Sequence, residues 1–431
     1  MPDVNKDKLL QYMDRYTARW PFSGVILAAR GNDVVVQRAY GSANLELDVA
    51  TDYHTKFRIW SVTKSFTAMA IMQLYEQGKL SLDDPLYRYL PELSRHDVIT
   101  IRHVLQHESG LRNFTTVPEF NNHLNKIKLR EAEFFELLNR FPLDFKPGSL
   151  FSYNNTGYYL LGLVIERVSG QSFEHFVTKH ILHPLDMMET GIDTGDKLIP
   201  GMASPYTSSG DGMVPAEYIY MGNVSAAGGM FSTASDLFKW ARAIQEEKLL
   251  SPRTYRDVFG NSEAKYGMGW FLKERSGRRR VFHGGAYRGF RSELHCYPDD
   301  ELTVILLTNY DIVPVTYLAD TISDILLGEE ATVPDFPPVV PLSTQQIQRY
   351  VGTYEDFGCK AVVDMDGEEL FFLWNDRHRV PFYPVGEHQF HHKWAHWSYS
   401  FKADDDGTFS FLGMRKTTAP ESFPICSQLD S

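Results

Sequence analysis

A hydroxyl and an amine three residues apart, Ser61 and Lys64, open the chemical reading of this chain. On a helix that spacing places two side chains on one face. A serine hydroxyl attacks an acyl carbon only when a neighbour takes its proton. A lysine amine does this once burial has lowered its pKa toward neutrality. The surrounding residues fit: from Phe66 to Leu74 the chain is apolar almost all round, predicting a core helix that starts near Ser61 and stops near Gly78. The start of such a helix aims backbone N–H groups at an oxyanion forming beside Ser61. Ser-x-x-Lys alone is weak, because both residues are common. A second copy, Ser262 to Lys265, lies in a loop between Phe259-Gly260-Asn261 and Tyr266 to Trp270, with no apolar helix behind it, and is read as non-catalytic.

A Ser–Lys pair also needs a second proton-transfer group, an orienting polar group and an oxyanion donor. The polar loop Phe151 to Gly157 precedes an apolar helix from Tyr158 to Val168 and offers Tyr153 and Asn155. Standing alone, Tyr153 reads as a core tyrosine and Asn155 as a helix cap. The stretch Val281 to Phe290 runs off a strand into His283, Gly284, Gly285 and Ala286, where glycines allow close approach of a ligand backbone. Other histidines carry less. His103 and His107, four apart on a predicted helix, lack an evident third metal ligand and read as structural. His388, His392 and His396 would share one strand face and His391 the other, an aromatic–histidine wall in preference to a metal site.

The elements that must position these residues come from both ends of the chain. A helical stretch near residues 6–18 leads into two β-rich runs, Val25 to Ala29 and Val34 to Arg38, joined at Gly31-Asn32-Asp33 as a hairpin. A mostly helical region spans roughly 85–245; strands resume near 266–273, 279–283, 289–297 and 301–308, followed by a helix near 312–327. The expectation is one sheet built from both chain ends, with the helical region inserted at one end of it. The tract Arg275 to Arg280 reads as a solvated hairpin turn. Pro334, Pro337, Pro338 and Pro341 mark a stiff linker. Short aromatic and β-branched runs follow, with turns at Asp366-Gly367 and Asp406-Gly407, predicting a small all-β barrel or sandwich.

With the three stretches Ser61/Lys64, Tyr153/Asn155 and His283/Gly285 in that order, the chain resembles the serine β-lactamase and penicillin-binding-protein superfamily, on its class C β-lactamase, DD-peptidase and esterase branch. His103 to Leu111, Ala226 to Thr233 and Tyr266 to Trp270 match its style as well. The resemblance covers about residues 8–328, and the tail from Tyr350 resembles a lipocalin-like domain. It implies an α/β (α+β) fold with an antiparallel sheet flanked by helices, a helical insertion and a C-terminal all-β barrel. The implied division is 1–330 hydrolase domain, 331–345 linker and 346–431 barrel. The resemblance also implies Ser61 as acylated nucleophile, Lys64 as its proton acceptor and Tyr153 as the shuttle to the leaving group. Asn155 would hold a substrate amide, and His283 with Gly284, Gly285 and Ala286 would line the substrate, the N–H groups of Ser61 and Ala286 forming the oxyanion hole. Two departures stand out: His283 replaces the lysine of class C β-lactamases, and Glu108 stands where the family loop has threonine.

Composition narrows the class. A net charge of −12 argues against nucleic acid and acidic membranes as partners, since both require clustered cations. Three widely spaced cysteines, Cys296, Cys359 and Cys426, argue against a disulfide scaffold and for a reducing compartment. No apolar leader or membrane-length run is visible, so the expected location is cytoplasmic. The expected activity is serine hydrolysis of peptide amides (often with D-residues) or carboxylic esters through an acyl-enzyme. It would use no metal and no cofactor, on a small-molecule or short-peptide substrate. An acyl transferase or peptide cyclase, a slow β-lactamase and a non-catalytic penicillin-binding receptor are the alternatives. The tail is expected to limit access to the Ser61 cleft.

Overall fold

The computed structural model describes residues 2–93, 98–210, 212–259, 266–356, 359–366, 369–374, 378–403, 409–411 and 414–417. The second Ser-x-x-Lys (Ser262 to Lys265), the Asp406-Gly407 turn, Gly367 and Cys426 lie outside the described residues.

Eight strands and four helices carry the argument. They are β1 (Gly24–Arg30), β2 (Asp33–Tyr40), β3 (Tyr206–Ser209), β4 (Gly212–Pro215), β5 (Phe271–Arg275), β6 (Arg278–Tyr287), β7 (Phe290–Tyr297) and β8 (Leu302–Thr308). The helices are α1 (Pro2–Arg19), α2 (Thr63–Glu76), α3 (Asn155–Ser169) and α4 (Val315–Leu326). Six of the strands form one sheet in the order β5-β6-β7-β8-β1-β2, antiparallel throughout. The sheet is therefore built from both chain ends, as the sequence predicts. β1 joins β8 along its whole length, from Gly24 opposite Thr308 to Arg30 opposite Leu302.

Both faces of this sheet are covered, which is why β8 is buried at every residue and reads as a continuous apolar run. Alternation divides the side chains between two cores. Val25, Leu27, Ala29, Ile305 and Leu307 face the core around α2, while Ile26, Ala28, Leu302, Val304 and Leu306 face the core beneath α1 and α4. α2 is buried from Thr63 through Leu74, so it sits inside the first core rather than on its surface.

The regular structure in the middle of the chain is mostly helical, as predicted, in segments that include α3, Glu131–Asn139 and Ala234–Gln245. It also holds the β3–β4 hairpin and two strands, Gly191–Ile192 and Met230–Ser232, which were not predicted. Strands of two to four residues are too short to show a period of two, so sequence patterning passes over them. The arginine tract does turn a hairpin at Ser276-Gly277, but its cations are not simply solvated. Arg275 pairs with Asp320 and Asp324, Arg278 with Asp300, Arg279 with Asp299, and the buried Arg280 with Asp320. The acidic partners lie 20–49 residues further along the chain, out of reach of a local reading.

Beyond the proline-rich segment, eight strands from Gly352–Asp356 to Met414–Thr417 close into a barrel, the first pairing with the last at Thr353 to Glu355. Aromatic rings fill it, among them Tyr350, Tyr354, Phe372, Phe390 and Phe401. The histidine expectation fails here. The strand Gln389–His392 ends at His392, so His396 is carried round the following turn and comes to lie 6.1 Å from His391, ring centre to ring centre. That turn is one of the barrel's holds on the rest of the molecule, beside the barrel strand His378–Pro384, which packs on β3. Trp394 Nε1 donates to the Gly210 carbonyl at 3.1 Å, and Ala395 is buried in the core beneath α1 and α4. Trp20 packs its ring 5.7 Å from that of His391 and 5.6 Å from that of His396. Among the described residues no helix is long and apolar enough to cross a membrane. Cys296 is buried, and burial pushes its thiol up to about 12, so it is an inert core side chain.

Candidate active site

The site is built where the start of α2 meets the open part of β6. Ser61 lies on a single tight turn, Trp60–Val62, that leads into α2. The turn forces Trp60 to φ 45°, a left-handed conformation uncommon for a bulky residue and of the kind found at functional sites. Two anchors hold it: the Ile59 N–H donates to the Met230 carbonyl at 3.0 Å, and the Ser292 hydroxyl to the Ile59 carbonyl at 2.8 Å. Gly285 explains the closeness of β6, since a Cβ there would sit 2.9 Å from the Ser61 nitrogen. No larger residue allows this approach.

One turn further, Lys64 is fully buried, its Nζ 2.9 Å from Ser61 Oγ, 2.8 Å from Asn155 Oδ1 and 2.7 Å from the Ala227 carbonyl. Burial drives the amine's pKa well down. Of its three neighbours, the amide oxygen and the carbonyl can only accept hydrogen bonds. A neutral amine has two N–H bonds for those two acceptors, and its lone pair is then left for the Ser61 hydroxyl. The geometry therefore suits a base. Asn155 is held in turn, its Nδ2 donating to Thr115 Oγ1 at 2.9 Å, so both ends of the amide are engaged within the protein. The Ala227 carbonyl comes from the Ala226 to Gly229 stretch, which the sequence marked only as matching in style.

Tyr153 brings its ring within 4.8 Å of the Lys64 ammonium position. Its hydroxyl is buried without a hydrogen-bond partner, although it lies close enough to Ser61 for that hydroxyl to pull its pKa slightly down. Desolvation dominates and raises the phenol well above its ordinary value, so Tyr153 keeps its proton. The loop that presents it is clamped from behind. His107 Nδ1 accepts from the Asn154 N–H at 3.0 Å, and the His107 carbonyl accepts from the Ser152 N–H at 2.8 Å. His107 does not share a helix with His103 as predicted; the helix ends at Leu105 and His107 takes φ 60°. Its ring is buried within 4.3–5.0 Å of the rings of Tyr153, Tyr158 and Tyr266, which keeps it neutral. Glu108 belongs to the same clamp through its carbonyl, which accepts from the Gly148 N–H at 2.9 Å.

His283 stands behind the wall rather than in it. The ring is 1% exposed. Its Nδ1 lies 2.6 Å from the Gly284 carbonyl, which can only accept, so Nδ1 carries the proton. Nε2 then accepts from the Tyr266 hydroxyl at 3.0 Å. Both ring nitrogens are occupied, and burial lowers the pKa to about 3. Tyr266 is the functional residue that sequence reasoning underused. It sits in a turn pressed against α2, where a Cβ on Gly269 would lie 3.0 Å from the Lys64 carbonyl. One turn thus braces both Lys64 and His283.

The remaining wall is the edge of β6. β5 pairs with β6 only as far as Phe271 opposite Phe282. Among the described residues the outer edge from His283 to Tyr287 has no strand partner, and Ala286 is exposed on it. An open edge beside a nucleophile presents N–H and C=O groups to an extended peptide or an acyl oxygen. Ser61, Lys64, Tyr153, Asn155 and Gly285 therefore come together, with Ala286 on the exposed rim and His283 withdrawn.

Residues 11–327 match the family model described as Beta-lactamase. The chain is 28% identical over 437 residues to Penicillin-binding protein 4* of Bacillus subtilis (strain 168), with 95% of this chain and 96% of that protein covered. Among solved structures it is similar to a penicillin-binding protein from Bacillus halodurans, at TM-score 0.66 and 29% identity over 74% of this chain and 98% of that one. It is also similar to a D-stereospecific amidohydrolase from Streptomyces sp., at TM-score 0.62 and 25% identity over 71% and 94%.

Proposed function

The chain belongs to the β-lactamase family and is a serine hydrolase of that type, and from that premise we propose that it cleaves uncharged acyl derivatives, short peptide amides (D-residue amides included) and carboxylic esters, through an acyl-enzyme on Ser61. Lys64, neutral in its buried site, takes the Ser61 proton as Oγ attacks the acyl carbon. The negative charge passes to the acyl oxygen, which the N–H groups of Ser61 and Ala286 receive. Tyr153, still protonated, gives its proton to the departing amine or alcohol and is recharged from Lys64. Water enters by the same route in reverse and releases the acid. Asn155 holds the Lys64 amine in register, and Gly284 and Gly285 let the substrate backbone lie against β6.

The observation that carries the choice of substrate is His283. With both nitrogens occupied and its pKa near 3, it offers no cation to a carboxylate at neutral pH. Amides and esters need none, and the amidohydrolase among the similar structures supports the amide reading. The division into a hydrolase unit (1–330), a linker (331–345) and a lipocalin-like barrel (346–431) belongs to the same proposal. The test is one preparation offered D- and L-amino acid amides, p-nitrophenyl esters and penicillins. Turnover of amides or esters with slow, stoichiometric acylation by penicillin is the expected result. Fast penicillin turnover, comparable with the best amide or ester, overturns the substrate reading. Acylation without turnover of any compound replaces the hydrolase with a penicillin-binding receptor.

A further inference from the structure

The barrel's 392–398 turn reaches the catalytic sheet behind Ala286. In the antiparallel register Ala286 on β6 stands opposite Arg291 on β7. Cross-strand partners project from the same face as immediate neighbours, so a brace on one constrains the backbone of the other, while the Ala286 N–H itself stays free on the open edge. Arg291 is fixed from two sides. Its Nε donates to the Asp311 carbonyl, and its guanidinium lies 5.4 Å from the centre of the Trp397 ring. Trp397 belongs to the barrel, which holds it firmly. The His392 N–H donates to the Trp397 carbonyl at 3.0 Å, and the indole Nε1 donates to the Tyr399 hydroxyl at 3.1 Å.

A second contact ends at the same tip. Trp394, in the same turn, donates to Gly210 in the β3–β4 connection. That hairpin in turn supports the β6–β7 turn. Gly289 has φ 85°, and a Cβ there would lie 2.7 Å from the Tyr206 nitrogen, so the turn lies flat on the start of β3. Arg288 beside it pairs with Glu217 just beyond β4. Ala286 is thus braced across the sheet through Arg291 and along the chain through Arg288 and Gly289, and both braces lead to the 392–398 turn of the barrel.

We propose that this turn, chiefly through Trp397, is a positioning element for the Ala286 N–H, so that the barrel contributes to the chemical step rather than controlling entry to the cleft. The proposal rests on Ala286 serving as an oxyanion donor. Such donors act only when aimed within a few tenths of an ångström at the developing charge, and a misplacement of about 1 Å costs on the order of 10²-fold.

The experiment is steady-state kinetics on the full chain with a p-nitrophenyl ester, comparing Trp397→Ala and Trp397→Phe with the unaltered protein. Trp397→Ala is expected to lower kcat roughly tenfold with KM held within about twofold, because a partly misaimed donor loses transition-state stabilisation and not ground-state binding. Labelling at Ser61 should persist. Trp397→Phe keeps an aromatic face for Arg291 and should recover most of the loss. Unchanged kcat in Trp397→Ala overturns the proposal, as does a change confined to KM, which would return the barrel to a gating role. If Trp397→Ala does not fold, Arg291→Met removes the cation and reads the same contact from the other side, and wild-type kcat in that variant is equally fatal. An unaltered protein inert to every ester and amide overturns instead the hydrolase reading beneath it.

Discussion

His283 behind the active site and His391 at the barrel's docking turn are both buried, and they are held in opposite ways. Behind the active site, His283 has a partner for each nitrogen, Gly284 on one side and Tyr266 on the other. At the barrel's docking turn, His391 bonds Ser398 through Nδ1, but its Nε2 and the Nδ1 of His396 are buried with no partner. Desolvation lowers the pKa in both places, to about 3 for His283 and about 4 for His391. The difference lies in what a proton would meet. At His283 the carbonyl and the phenol fix one neutral tautomer. At the docking turn protonation of His391 is opposed by burial among Trp20 and the surrounding rings and by the neighbouring His396. Burial in the first region specifies a chemical state; in the second it specifies a contact that acid can dissolve.

The largest effect that bears on this contrast is expected at Ser61. Ser61→Ala should cut turnover by roughly 10³-fold or more and abolish covalent labelling by penicillin in intact-mass measurements, while Ser262→Ala changes neither. Labelling that survives Ser61→Ala and disappears in Ser262→Ala would overturn the assignment of Ser61 as nucleophile. Next is Lys64. Lys64→Arg puts a permanent cation where burial favours a neutral amine, and should lower kcat by roughly 10²-fold or more. In the unaltered protein acylation should rise with pH as Lys64 loses its proton, with no inflection between pH 5 and 8 from His283, whose pKa lies near 3. A bell with a limb near neutrality that disappears in His283→Gln would show that His283 titrates in the working range.

A smaller change sharpens the contrast from within. His283→Lys introduces a cation behind Gly284 and should improve acylation by penicillins over a neutral ester by roughly tenfold, the scale of one charge-assisted hydrogen bond. An unchanged ratio would remove His283 from substrate selection. The smallest effect is at the docking turn. The folded pKa of His391 lies below the ordinary value, so the unfolded chain binds the proton more readily. Its contribution to stability is complete above about pH 6.5, falls as the pH drops from there towards 4, and is lost below that value. A thermal midpoint of the full chain that drops across this window in the unaltered protein, and drops less in His391→Phe, is the expected result, the remaining fall coming from the other buried histidines.

Much of the site was legible because its residues are held by local spacing. Ser61 and Lys64 follow from helix geometry, whereas Tyr153 and Asn155, which alone read as a core tyrosine and a helix cap, stood out through the family resemblance. Partners supplied from a distance were not. The Ala227 carbonyl on Lys64, the Tyr266 hydroxyl on His283 and the clamp of His107 on Asn154 are contacts of backbone or ring that leave no periodic trace. The two-chain-end sheet was legible from strand-like runs at both ends, while the two-residue strands in the middle were too short to register. His396 was misplaced because a strand was extended through a turn whose residues, Lys393 to Trp397, are as aromatic as the strand before them.

The pairing of β1 with β8 has a consequence for how the protein is made. Gly24 meets Thr308 across roughly 280 residues of intervening chain, so the central sheet cannot close until the chain has left the ribosome through Thr308. At typical elongation rates of about 5–20 residues per second, the first hairpin and the Ser61 helix wait for many seconds as an open, apolar edge. Contacts of such high sequence separation also slow folding once the chain is free. The barrel, whose strands are close neighbours in sequence, emerges after the sheet and forms mostly by local pairings. The nucleophile is therefore synthesised well before the strands that complete its surroundings, and a chaperone that shields an early edge strand would raise the yield of active protein more than one acting on the barrel.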